Sequence, residues 1–136
     1  MKPVIGYTLG DQAGIGPEVV AAALSSGELP AGAEYRLIGR RENVPVGRPN
    51  PESANYAFEH LEQAAQALRE GVIDAVVTAP VCKETLHVAG FRWPGQTEFF
   101  AERLETENYA MCLAGKKLTV GLATIHTSLQ LSLIHI

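Results

Sequence analysis

Cysteine is scarce in this chain: Cys82 and Cys112 are the only two, and no CxxC pairing joins them. That fits two reduced, buried cysteines of a cytosolic protein better than a disulfide framework. No apolar run approaches the roughly 20 residues that cross a bilayer, and no basic segment followed by an apolar stretch opens the chain. The expectation is therefore a soluble, cytoplasmic protein with no membrane partner. Positive charge is also short. Lys and Arg number 11 against 15 Asp and Glu, a net charge of −4, with none of the clustered basic residues of a nucleic-acid binder. The acidic excess is dispersed, as on a solvated surface. What is plentiful is apolar: 46% of the 136 residues are hydrophobic and 19% charged, enough to build a core.

Strands and helices alternate. Residues 3 to 9, PVIGYTL, read as a buried first strand. Pro17 suits the first turn of a following helix, and Glu18 the positive end of its dipole. The apolar run Val19 to Leu24 predicts that this helix is buried and closes near Gly27. EYRLI, residues 34 to 38, reads as a second strand, and the Pro- and Asn-rich stretch RRENVPVGRPNPES as a loop. A long helix is expected from Ala54 to Arg69, capped by Ser53, with Tyr56, Leu61, Ala64 and Leu68 on its apolar face and Gly71 at its end. VIDAVVTAP is a third strand, Lys83 to Val88 a short helix, and TEFFAERLETE a further helix that Thr97 is placed to cap. YAMCLAG and LTVGLAT form a candidate hairpin about Gly115–Lys116–Lys117. The alternation predicts an α/β fold with a mainly parallel sheet.

Four segments carry candidate chemistry, each with a plainer structural reading beside it. Gly10-Asp11-Gln12-Ala13-Gly14-Ile15-Gly16-Pro17-Glu18 joins a strand to a helix. It is either a loop that brings backbone close to an anion or a tight turn, and it matches neither the dinucleotide nor the P-loop pattern. Lys83 follows the third strand, where ligands of open α/β sheets sit; it reaches a phosphate or carboxylate, or lies on a solvated helix start. Thr97 in Pro94-Gly95-Gln96-Thr97-Glu98 caps a helix or offers its hydroxyl to a phosphate. His126 is a candidate metal ligand, although one histidine is short of the three or four ligands such a site needs. His60 and His87 lie on expected helices and read as surface or packing residues.

In this order the segments GDQAGIGPE, VTAPVCKE, PGQTEFFAE, YAMCLAG and LTVGLATIHTSL resemble the 4-hydroxythreonine-4-phosphate dehydrogenases, across most of the chain. Residues 40 to 60 match loosely and look short. The resemblance implies an α/β enzyme with a three-layer, mainly parallel sheet of the isocitrate and isopropylmalate dehydrogenase type, incomplete in this chain, and homodimeric at full length. It implies NAD(P)-dependent oxidation of 4-phosphooxy-L-threonine to a β-keto acid, which decarboxylates to 3-amino-2-oxopropyl phosphate in pyridoxal 5'-phosphate synthesis. A divalent metal (zinc, magnesium or cobalt) is held by three histidines in the family.

Carried over by position, His126 falls on the first metal histidine, Gln96 and Thr97 on substrate-binding positions, and Lys83 on a catalytic lysine facing the substrate. Asp11 and its neighbouring glycines match the family loop without an assigned contact, and no cofactor-binding residue is assigned. Gln96 departs from the commoner GHTE pattern. A glutamine amide donates and accepts hydrogen bonds but carries no charge and transfers no proton, so a related branch acting on another phosphorylated hydroxy acid stays open. So do a phosphate acetyltransferase-type acyltransferase and a non-catalytic phosphate-binding module.

Residues 1 to 130 are expected to be the N-terminal part of such a dehydrogenase. Leu131 to Ile136 back-translates as CTG TCT CTT ATA CAC ATC, the transposon end used as a sequencing adapter, so residues 131 to 136 are expected to be a non-native tail. The chain alone is expected to be catalytically silent, with apolar surface and open strand edges left uncovered.

Overall fold

The computed structural model describes residues 1–125, 128 and 130, and the chain divides into two units, Met1–Pro94 and Gly95–Ile136. The first holds a three-stranded parallel sheet in the order β2-β1-β3, made of β1 (Val4–Thr8), β2 (Glu34–Leu37) and β3 (Ala75–Thr78). Ile5 pairs with Tyr35 on one side and Ala75 on the other, in register through Tyr7 with Leu37 and Val77. The central strand thus has both neighbours parallel, and the α/β expectation holds.

Two crossovers join these strands, α1 (Gly16–Ser25) and α2 (Pro51–Arg69). The first steps from β1 out to β2 and the second from β2 back past β1 to β3, so they run in opposite directions along the sheet, and the right-handedness of such connections puts them on opposite faces. On one face Val20, Ala23 and Leu24 of α1 stand over Ile5, Tyr7, Tyr35 and Val77, with an open, wholly apolar pocket between. The expected burial of α1 does not occur: only Gly16 and Pro17 are buried, and Val19 and Leu24 remain 49% and 44% exposed. Its contact with the sheet leaves that pocket unfilled.

The other face is closed by α2, which packs against β1, β3 and the short helix α3 (Lys83–Val88). Its buried stripe, Ala54, Ala57, Leu61, Ala64 and Ala65, repeats at helical spacing, and the small alanines let the helix approach the sheet closely. Full burial of Leu61 alone is worth about 1.5–3 kcal/mol. The stripe is rotated from the expected one: Tyr56 and Leu68 are half-buried, while His60 is 1% exposed. Asn50, not Ser53, is the N-cap. The Asn50 side chain accepts from the Glu52 and Ser53 amides, and Ser53 Oγ accepts from the Asn50 amide, a reciprocal capping box with Pro51 in the first turn. Gly71 follows the helix end as expected, its amide bonding to the Leu68 carbonyl. Beyond α3, Phe91 and Trp93 stack edge-on with Phe58 at 5.7 and 6.2 Å.

The second unit contains α4 (Gln96–Arg103) and an antiparallel hairpin of β4 (Cys112–Ala114) and β5 (Thr119–Gly121), as the sequence predicts. Its turn is closed by the Gly115 amide on the Leu118 carbonyl at 2.9 Å. The Phe99 and Phe100 rings meet edge-on at 5.1 Å, and the Arg103 guanidinium lies over Phe99. Both cysteines are free, but neither is buried: Cys82 is half-buried at the start of α3 and Cys112 is exposed on an open strand. Among the described residues no helix is long and apolar enough to cross a membrane.

Candidate functional site

The loop from Gly10 to Gly16 leaves the C-terminal end of β1, the central strand, where the order of connections reverses and where ligands of open α/β sheets collect. It is held to the end of β3. The Asp11 amide donates to the Pro80 carbonyl at 3.0 Å, and Gly10 adopts φ +64° with its Cα against that same carbonyl. A β-carbon at Gly10 would lie 2.2 Å from the Pro80 oxygen. The glycine is thus required by chain-on-chain packing, which is the turn reading of this motif.

The side chains of the loop add a polar interior. Asp11 is 3% exposed; its Oδ1 accepts from the Ala13 amide at 3.0 Å, and its Oδ2 is buried with no partner among the described residues. Thr8 Oγ1, at the end of β1, is likewise buried and unpartnered. A buried carboxylate oxygen left without a donor costs about 1–3 kcal/mol or more, so this end of the sheet holds unused acceptor capacity. Gln12 was not singled out from the sequence, yet it is the loop's main anchor. Its Nε2 donates to the Arg40 carbonyl at 2.8 Å and its Oε1 accepts from the Glu42 amide at 2.9 Å. Only the pairing of segments some 30 residues apart reveals it.

Of the residues carried over from the family, Lys83 is exposed at the first position of α3, just past the segment that receives the Asp11 amide. It presents an ammonium, three donors and no acceptor, to solvent. Beside it, the Cys82 thiol is held below its ordinary pKa by the Thr85 hydroxyl and by the Thr85 and Glu84 amides. Gln96 and Thr97 open α4 in the other unit. Gly95, not Thr97, is the N-cap, and no side chain caps this helix; Thr97 sits two residues past the cap position, inside the first turn. Gln96 Oε1 is buried and without a hydrogen-bond partner among the described residues. His126 lies outside the described residues, as do residues 131 to 136. Among the described residues no three His, Cys, Asp or Glu side chains gather to hold a metal, so a metal site is not supplied by them alone. His60 is a packing residue, and His87, whose Nδ1 is 2.6 Å from the Phe91 carbonyl, is an exposed one.

Comparison with known proteins bears on what this arrangement serves. The family model described as pyridoxal phosphate biosynthetic protein PdxA matches residues 17–135. The chain belongs to this family. A 4-hydroxythreonine-4-phosphate dehydrogenase of Zymomonas mobilis is 33% identical, the match covering 93% of this chain and 49% of the relative. A D-threonate 4-phosphate dehydrogenase of Cupriavidus necator is 31% identical, covering 93% and 50%. The crystal structure of a 4-hydroxythreonine-4-phosphate dehydrogenase from Burkholderia phymatum superposes with a TM-score of 0.76 at 26% identity, covering all of this chain and 54% of that one. The chain therefore spans about half the length of the relatives it matches. The sequence alignments run over 164 and 168 positions against a chain of 136 residues, so the relatives carry residues inside the matched span that this chain lacks.

Proposed function

We propose that this chain supplies the N-terminal part of a 4-hydroxythreonine-4-phosphate dehydrogenase of pyridoxal 5'-phosphate biosynthesis. The observation that carries the reading is the family match over residues 17–135. In the full-length, homodimeric enzyme the 3-hydroxyl of 4-phosphooxy-L-threonine loses its proton while C3 gives up its hydrogen as hydride to NAD or NADP, leaving a 3-keto group. The β-keto acid formed releases carbon dioxide and leaves 3-amino-2-oxopropyl phosphate.

The part this chain plays is binding and orientation. Thr97 Oγ1, with the first-turn amides of α4, suits a phosphate oxygen. The Gln96 amide oxygen, buried and unpartnered, suits a substrate donor. The exposed Lys83 ammonium suits an anionic group of the substrate. His126 is one ligand of a metal set that this chain does not complete.

A second reading is oxidation of D-threonate 4-phosphate, which bears a hydroxyl where 4-phosphooxy-L-threonine bears an ammonium group. It is favoured by Gln96, a neutral amide where the commoner pattern has a titratable imidazole. The test is a version extended through the downstream coding sequence, assayed for NAD(P)H formation on each substrate. Metal-dependent reduction that is lost in His126→Ala is expected, with Gln96→His shifting preference toward the ammonium-bearing substrate. Turnover that survives chelation and His126→Ala would sink the dehydrogenase reading; unchanged preference in Gln96→His would remove Gln96 from substrate choice.

A further inference from the structure

We infer that His60 is a pH-sensitive latch on the segment that clasps the Gly10–Gly16 loop. The clasp is residues 39 to 47. It grips the loop at both ends of the Gln12 amide, through the Arg40 carbonyl and the Glu42 amide, and again through the Gly47 amide on the Ala13 carbonyl at 2.7 Å. It is fastened to the helix layer at the His60 ring: the Arg40 amide donates to His60 Nε2 at 3.3 Å. The geometry leaves little room for any other arrangement. Gly39 has φ +86°, and a β-carbon there would lie 2.3 Å from His60 Cδ2, so the backbone rests on the imidazole.

An Nε2 that accepts must be the unprotonated nitrogen, which places the ring proton on Nδ1. Nδ1 is buried and finds no acceptor among the described residues, and His60 is 1% exposed. Proton uptake from solvent at Nε2 would set two donors face to face, N–H against N–H, and leave a buried cation with no acceptor on either nitrogen. The charged groups that act on the ring are Glu59 on its own helix and Glu42 and Arg40 on the clasp. The facing sheet positions Gly6, Thr8, Val76 and Thr78 carry no ionisable group, and the adjoining α3 carries Lys83, Glu84 and His87. Burial outweighs the two glutamates and pulls the imidazole below its ordinary pKa, with Arg40 acting in the same direction.

The sign follows from linkage. A histidine whose pKa is lowered in the closed state favours closure in its neutral form. The clasp therefore holds fully above the open-state pKa of about 6.5 and weakens as pH falls beneath it, levelling off below the closed-state pKa. Across that window the opening equilibrium rises up to about tenfold per pH unit. Release frees Gln12 and with it the loop at the end of β1, whatever ligand that loop serves, so the inference does not rest on the dehydrogenase reading.

The test is hydrogen exchange of the Arg40, Glu42 and Gly47 amides in this chain between pH 7.5 and 5, corrected for intrinsic rates, beside nitrogen-15 NMR of the His60 ring. Expected are an unprotonated Nε2 at pH 7.5, a ring titration below 6.5, and protection lost on that same titration. His60→Gln, which keeps an acceptor but cannot charge, should show protection independent of pH. The latch is overturned by a ring that titrates at or above 6.5, by protonated Nε2 at pH 7.5, or by equal loss of protection in His60→Gln. Should that variant fail to fold, the wild-type titration and its amide protection decide between the same outcomes.

Discussion

Alanine at position 10 and alanine at position 27 make the same chemical change at the same kind of backbone, and they should differ sharply in cost. Gly10 has φ +64° and Gly27 φ +72°, so each substitution carries the left-handed penalty of about 1–2 kcal/mol for an L-residue. Each also gains back about 0.4–1 kcal/mol by restricting the unfolded chain. These terms cancel between the two variants. What differs is space: a β-carbon at Gly27 meets nothing within 4 Å, whereas one at Gly10 would lie 2.2 Å from the Pro80 oxygen and 2.8 Å from the Ala79 carbonyl carbon. Relief requires a shift of about 1 Å between the loop and the end of β3, which breaks the bond from the Asp11 amide to the Pro80 carbonyl and leaves a buried donor unpaired, at about 1–3 kcal/mol. Gly10→Ala should therefore be about 1–3 kcal/mol less stable than Gly27→Ala. Urea unfolding of the two purified variants measures this from their midpoints, provided the slopes agree. Equal stabilities within about 0.5 kcal/mol, a margin typical of surface substitutions, would show that the loop is not pinned to β3 and that Gly10 is there for something other than packing.

Asn50→Ala should destabilise α2 by about 1 kcal/mol, since it removes the acceptor for two first-turn amides, while Asn50→Asp should be close to neutral. Thermal melts followed by circular dichroism check this, and a harmless Asn50→Ala would return the cap to Ser53. Cys82 should react with iodoacetamide near neutral pH faster than Cys112, although Cys112 is the more exposed, because the Thr85 hydroxyl and nearby amides favour its thiolate. Thr85→Val should slow Cys82 and leave Cys112 alone. If Cys112 outpaces Cys82 in the parent chain, exposure and not thiolate stabilisation governs reactivity.

The long helix shows how far the pattern reads and where it stops. Its existence and its end at Gly71 follow from the sequence, but PNPES offers two capping residues three positions apart. Which one caps depends on where the backbone turns extended, and that happens at Asn50, with φ −148°. Ser53 then becomes the reciprocal partner instead of the cap. The same is true of Thr97, a good capping residue displaced from that role because the chain enters α4 through Gly95. For α1 the apolar run predicts burial correctly only if something covers it, and residue pattern carries no information about how tightly one layer seats on another.

By itself the sequence determined the alternation of strands and helices, the parallel sheet, the hairpin and the family, because periodicity and turn chemistry act over a few residues and the family motifs are contiguous. The tertiary structure alone decided that Gln12 is an anchor, that His60 is buried against Gly39 and the Arg40 amide, and that the family loop is locked to the end of β3. Those contacts join positions 20 to 70 residues apart. No local preference encodes them; they exist only once the sheet has brought the ends of its strands together.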